Sequence, residues 1–452
     1  MDHSRTIMPD LVSDSPSAAP RAGRGALLTI FLIVFVDLMG FGIVLPNLQL
    51  YGLTFGISNY FALTLIGATY SIFQFIFAPL LGRWSDRIGR RPVLLVSQAG
   101  TLLGFLMLFA AHKFTGPQAT SGIILIYLSR VIDGISGGNI STASAYVADI
   151  TSPENRAKGM GMIGAAFGLG FVFGPMIGGV VGKMLGLQYV PLAAATFSVL
   201  ALFLTYTKLP ESLKPGVVPD NSRRFSILGL QHALSRPKIR ALILIFFLNG
   251  FAFAAMEQTL SLLIALRVFG IKARSLNDQL TMFAMNKAAG TASLATGFLF
   301  GFIGIIIVFI QGGMIHRLTK RFGAPALVFT GPALIAAGLV VVGLPIAWAW
   351  PWTGFVIGCA FLALGSSLFN PSVQALISQH APASEQGEIM GANQGMASLA
   401  RALGPMLGGI LFQYVTPGTP YYVAAGLTGA VAIWALVNQH RLQPPEHDAL
   451  RK

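Results

Sequence analysis

Charge is scarce in this chain. Only 10% of its 452 residues are Asp, Glu, Lys or Arg, against roughly 25% in a soluble domain, too few to cover a water-facing surface. Cysteine is nearly absent. The single Cys359 lies in an apolar run and excludes both a disulfide framework and a four-cysteine metal site. Acidic residues number 16 against 30 basic ones, a formal charge of +14. The basic residues sit in short loops without interleaved aromatics, which argues against a nucleic-acid surface. There is no Gly-x-x-x-x-Gly-Lys-Ser/Thr loop for ATP, and the G-x-G-x-x-G from Gly159 to Gly164 follows no strand. The sequon at Asn139 falls mid-span. No nucleophile or metal-ligating constellation appears, and no cofactor is implied, so the chain does not read as an enzyme.

What is abundant is apolar sequence, 54% of residues with a mean hydropathy of +0.70. That is enough for about twelve membrane spans of about 20 residues each. Apolar runs fall near 26–48, 60–81, 92–111, 122–148, 160–182 and 189–207, then near 241–265, 294–315, 324–344, 353–378, 387–411 and 420–438. Arg21 and Arg24 before the first run resemble a signal-peptide start, but the run reaches about Leu45 with no small-residue cleavage site and reads as an uncleaved span. The expected organisation is a tail over 1–25, a six-helix bundle over 26–207, a basic linker over 208–240, a second bundle over 241–438 and a tail over 439–452.

Of the 30 Lys and Arg, 22 fall on the side shared by both termini and six on the other, while Arg130 and Arg401 lie inside spans. This asymmetry places both termini in the cytoplasm. The halves also repeat. Gly174-Pro175-Met176-Ile177-Gly178-Gly179 recurs as Gly404-Pro405-Met406-Leu407-Gly408-Gly409, and Gly161 recurs as Gly391, both at an offset of 230. Gly82…Arg91 has an echo in Gly313…Gly323. The fold class expected is all-α and membrane-embedded, with twelve helices in two bundles related by a parallel repeat. Gly56 and Gly270 read as equivalent but sit closer in sequence than the repeat requires, so the second half is expected to carry extra residues near Lys272 to Ala289, as a loop or helix outside the membrane.

The loop GRWSDRIGRR sets Asp86 among Arg83, Arg87, Arg90 and Arg91, with Gly82 for close helix approach and Gly89 for a turn at φ > 0. This pattern resembles the loop 2–3 signature of the major facilitator superfamily. The block Gly170, Gly174, Pro175, Gly178, Gly179 resembles that family's fifth-span antiporter motif, Arg130 with Gly134 its fourth-span motif, and Asp37-Leu38-Met39-Gly40…Pro46 the first-span motif of drug:proton antiporters. The resemblance covers nearly the whole chain and is strongest to tetracycline-efflux and multidrug exporters. It implies a monomer in a bacterial inner membrane that moves a small molecule against protons. On this resemblance Gly82, Asp86, Arg87, Gly89, Arg90 and Arg91 form a conformational latch, the Gly-Pro block is a hinge, and Arg130 tunes coupling. At the third-span position where the resemblance implies an acidic residue, this chain has Gly104.

A charge at the bilayer centre costs roughly 2.5–3.5 kcal/mol on insertion scales, so buried ionisable residues are functional candidates. Asp37 and Glu257 are candidates for taking up a proton. Asp133, three residues from Arg130, shares its helix face and reads as either a coupling residue or its neutralising partner. Tyr70, Gln74, Asn139, Asn249, Gln258, Ser366, Ser367, Asn370, Gln374 and Arg401 are expected to line a substrate cavity, helix–helix hydrogen bonds being the alternative for each. Function is then proton-driven export of small hydrophobic or cationic compounds. Proton-coupled import of a sugar or organic acid, or a sensor without flux, are the competing readings.

Overall fold

The computed structural model describes residues 24–151, 156–213, 233–271, 279–344, 352–382, 385–440 and 442–443. Among the described residues, twelve helices are long and apolar enough to cross a membrane, at Gly25–Leu53, Tyr60–Ile88, Arg90–Lys113, Gly116–Ile150, Gly159–Met184, Leu187–Lys208, Pro237–Phe269, Lys287–Phe322, Ala324–Gly343, Trp352–His380, Ile389–Tyr414 and Thr419–Val437. They are numbered here as spans 1 to 12. There is no strand among the described residues. Their limits follow from local chemistry. Asn59 caps span 2 by accepting from the Ala62 amide at 3.2 Å, as a side-chain oxygen does for the orphan amides of a first turn. Span 7 opens on Pro237, where the missing amide is no loss, and closes at Gly270 in the left-handed region.

The packing repeats with the sequence. Span 1 packs on spans 5 and 6, span 3 on 4 and 6, and span 2 on 4; span 7 packs on 11 and 12, span 9 on 10 and 12, and span 8 on 10. The halves meet where span 5 lies on span 8 and span 2 on span 11. Gly56 and Gly270 both have positive φ, as do Gly89 and Gly323 before spans 3 and 9. Large apolar side chains such as Leu28, Ile124, Phe203 and Ile433 are exposed on the bundle surface. Lipid is as apolar as leucine and does not drive helices together, so small and polar residues set the contacts.

Several features differ from the hydropathy reading. Span 7 starts at Pro237, inside the expected linker, and Lys214, Arg223 and Arg224 lie outside the described residues. Much of the extra segment is not a separate element, because the helix of span 8 already begins at Gln279; Lys272 lies outside the described residues. Toward its other end span 8 passes through a π-helical turn at Ile310–Met314 before Ile315–Phe322, a local underwinding that hydropathy does not report.

Arg267, near the end of span 7, donates to the carbonyls of Val342, Gly343 and Leu344 at 2.8–2.9 Å. It caps the end of span 9, whose last carbonyls have no helical partner. Arg267→Ala is expected to lower stability by about 1.5–3 kcal/mol, the weight of charged hydrogen bonds, read as the thermal midpoint of the detergent-solubilised protein. Arg267→Lys is expected to recover only part of it, since an ammonium lacks the planar fork.

Candidate functional site

Span 4 is two helices, Ala119–Ser136 and Asn139–Ile150, broken at Gly137 and Gly138. Glycine has a low helix propensity, and a Cβ at Gly138 would come 2.7 Å from the Cα of Ala78 on span 2. Neighbouring spans take up the freed carbonyls, as the membrane interior requires. Gln74 donates to Gly137 O at 2.8 Å, and Ser97 on span 3 donates to Ser136 O. Gln74 also donates to the Tyr70 hydroxyl at 3.0 Å.

The acidic candidates of the first half gather at this break. Asn139 Nδ2 donates to Asp37 Oδ2 at 2.8 Å, while Asp37 Oδ1 is buried without a partner. Arg130 and Asp133 form an ion pair at 3.0 Å with both side chains 2% exposed, and the guanidinium lies 5.7 Å from the centre of the Phe105 ring. Thr101 on span 3 lines the same small cavity as Asp133. A Cβ at Gly104 would come 2.9 Å from the Cβ of Asp133, so spans 3 and 4 approach too closely for an acidic side chain at 104. A cavity of about 20 Å³, room for about one water, lies among Asp37, Tyr70, Thr101, Asp133, Gly137 and Asn139.

In the second half Glu257 is buried and its Oε1 has no partner. Arg401 on span 11 donates to Ser398 at 3.0 Å and makes no ion pair among the described residues. It is an electrostatic neighbour of Glu257 and of Tyr70, and Tyr70 is in turn a neighbour of Asp37, Asp133 and Arg130. Tyr70 thus joins the charges of the two halves. Asn249 is buried with Oδ1 unpartnered, as is Ser366 Oγ, while Ser367 donates to Ala363 O at 2.6 Å. Asn370 is half-buried and Gln374 exposed. Gln258 is bonded to Gln49 of span 1 and sits against Gly67 of span 2, which puts it in the contact between halves rather than on an open wall.

The GRWSDRIGRR segment, expected as a loop, is helical to Ile88 and again from Arg90, turning only at Gly89, and it is docked on its own half. Arg90 pairs with Asp86 at 2.5 Å and with Asp149 at 3.0 Å, and it donates to Ser85 at 2.6 Å. Glu211 after span 6 accepts from the amides of Arg90 and Arg91 at 2.9 and 3.0 Å. Arg87 is exposed, and Gly89 has φ +107°. Asp149 and Glu211, the acids that hold the loop, went unnoticed in the sequence because each sits in a loop or helix end where a charge is unremarkable. Arg236 and Glu385 make an ion pair at 2.7 Å in the other half.

The paired Gly-Pro blocks pack alike. Gly174 lies against Gly42 and Gly178 against Ile43 of span 1, while Gly404 and Gly408 lie against Phe251 and Ala255 of span 7. The last glycine of each block crosses to the other half, Gly179 to Ser293 and Gly297 on span 8, and Gly409 to Thr64 and Phe61 on span 2. Cross-half hydrogen bonds lie on the same side: Ser293 to Asn47, Tyr60 N to Gln413 at 2.7 Å, and Lys183 to Thr291 at 2.5 Å. Toward the face carrying the arginine-rich loop, Gly161, Gly164, Gly168, Gly312 and Gly313 have nothing within 4 Å of a Cβ. The described contacts between the halves thus gather at the face away from the arginine-rich segment, while these glycines of spans 5 and 8 stay open at the basic one.

This two-bundle architecture has known counterparts. The sequence profile described as Major Facilitator Superfamily matches residues 30–357 and 316–451. The chain belongs to the major facilitator superfamily. Among curated relatives of this facilitator, the class D tetracycline resistance protein of Salmonella ordonez is 30% identical over 421 residues, 90% of this chain and 96% of that protein. Major facilitator superfamily domain-containing protein 10 of Mus musculus is 28% identical over 441 residues, 86% and 87% of the two chains. The crystal structure of the human organic anion transporter MFSD10 matches with a TM-score of 0.65 at 25% identity, over 92% of this chain and 100% of that one. A D-xylose–proton symporter matches with a TM-score of 0.68 at 16% identity, over 92% and 98%, a likeness of fold alone. The facilitator is a membrane transporter, and its relatives and fold are those of transporters, not enzymes.

Proposed function

We propose that the protein exports small hydrophobic cations in exchange for protons, with its basic face in the cytoplasm as the distribution of Lys and Arg suggests. The observation that carries this reading is the charge of the central cluster. Three carboxylates, the buried Asp133 and Glu257 and the half-buried Asp37, lie in one charge cluster with two guanidiniums, Arg130 and Arg401, leaving one net negative charge when all are ionised. One proton or one monovalent cation neutralises it, and the first excludes the second, which is the logic of exchange. Asp133 is held by Arg130, so Asp37 and Glu257 are the groups left to take up protons. The loop around Asp86 acts as the latch of the basic face and the Gly-Pro blocks as hinges. The working unit is a monomer of bundles 26–207 and 241–438 joined by 208–240.

Arg401 favours a second reading, an organic anion as cargo, since it has no carboxylate partner among the described residues and a relative bears that description. Proteoliposomes with an imposed pH gradient, loaded with tetraphenylphosphonium or a fluorescent carboxylate, separate the two. The expected result is gradient-driven movement of the cation that a protonophore abolishes, with a loss of tenfold or more in Asp37→Asn combined with Glu257→Gln. Gradient-driven transport that survives both substitutions removes the proposed proton sites.

A further inference from the structure

Asp37 is fastened to the break in span 4 by one side chain. The amide of Asn139, the first residue of the half-helix Asn139–Ile150, donates to Asp37 Oδ2 at 2.8 Å. The break is itself pinned by Gln74 and Ser97, so the tie runs from span 1 to a point on span 4 fixed by two other spans. A hydrogen bond to an ionised acceptor is roughly twice as strong as one between neutral groups. Proton uptake at Asp37 therefore weakens the tie.

Span 1 in turn carries the seal. Leu38 and Gly42 lie in backbone contact with Gly170 and Gly174 of span 5. Span 5 meets span 8 through Gly179 and through Pro175, whose carbonyl packs directly on Gly297. Asn47, ten residues along span 1 from Asp37, is bonded to Ser293 on span 8. A contiguous set of close contacts thus runs from the carboxylate to the closed face.

We propose that Asn139 is the positioning residue of the proton site: its amide holds the ionised Asp37 on the broken helix, and protonation releases span 1 and with it the span 5–span 8 seal. The proposal rests on Asp37 being a proton site, as argued above. The charged and titratable groups facing Asp37 are Asp133 and Arg130 on span 4 and Tyr70 on span 2, with Arg401 of span 11 beyond Tyr70. Spans 5 and 6 present glycine and apolar side chains to this stretch, Gly170 against Leu38, and Ala194 and Phe197 against Gly40.

The test needs no substrate. Nitroxide labels at Gly161→Cys and Gly312→Cys, in a Cys359→Ser background in lipid nanodiscs, report the opening of the basic face as an electron–electron distance across pH. The expected wild-type result is a titration between a long and a short distance. Asn139→Ala removes a donor to the ionised form, so its midpoint is expected to move upward by about one pH unit, a tenfold change in proton occupancy. In an Asp37→Asn background the titration is expected to vanish and Asn139→Ala to change nothing further. A midpoint unmoved by Asn139→Ala, while Asp37→Asn abolishes the titration, overturns the role of Asn139 alone. A titration that persists in Asp37→Asn overturns the proton site itself, and a wild-type distance indifferent to pH overturns both.

Discussion

Asp133→Ala is expected to destabilise the protein by about 3–5 kcal/mol, because it strands Arg130 as an unpaired charge inside the bundle. Both side chains are 2% exposed and 3.0 Å apart, so water cannot replace the lost carboxylate. The Phe105 ring beneath the guanidinium offers a cation–π contact of about 0.5–2 kcal/mol, too little to compensate. Removing both charges, as Arg130→Met with Asp133→Leu, is expected to fold far better than either single variant, since a buried pair is often no more stabilising than apolar residues of similar volume. If Arg130 tunes coupling, the double variant recovers stability and still fails to use the proton gradient. Thermal midpoints and monodispersity in detergent check the first statement, and proteoliposome transport checks the second. A stable Asp133→Ala protein means that Arg130 finds another anion or lies closer to water than its burial indicates.

The spans were legible because lipid demands long apolar runs, and the duplicated bundle because GPMIGG and GPMLGG are too alike to arise separately. The pairing of Arg130 with Asp133 followed from their three-residue spacing. The partners of the blocks did not follow. Nothing in the sequence says that Gly178 faces span 1 while the adjacent Gly179 faces span 8, since successive helical residues point about 100° apart and either could face the lipid. The break at Gly137–Gly138 was also hidden, because glycine pairs occur in continuous spans elsewhere in this chain, as at Gly178–Gly179. Asn47, Gln49 and Ser293 gave no signal, each being an isolated, mildly polar residue whose meaning depends on a partner over 200 positions away. Gln258, expected on a cavity wall, proved to belong to the same class.

The two faces of span 5 allow a directional test of the access mechanism. Gly179→Val is expected to open the sealed face, whereas Gly168→Val, about three turns away on the same helix, is expected to leave this conformation unchanged. A Cβ at Gly179 would lie 2.8 Å from Ser293 O and 3.0 Å from the Cα of Leu294, both backbone-bound atoms that cannot swing aside. Overpacking of this kind costs about 1–3 kcal/mol, and only the sealed state bears it, so the balance between states shifts by about 5- to 150-fold toward opening at that face. At Gly168 nothing lies within 4 Å, and the substitution meets resistance only when the basic face closes. The pair should therefore move the labelled distance between Gly161→Cys and Gly312→Cys in opposite directions, Gly179→Val shortening it and Gly168→Val holding it long. Both should slow transport, because each removes one of the two states that alternate. A common shift in both variants would mean that spans 5 and 8 separate as parallel rods, and the rocking implied by one sealed and one parted end would have to be given up.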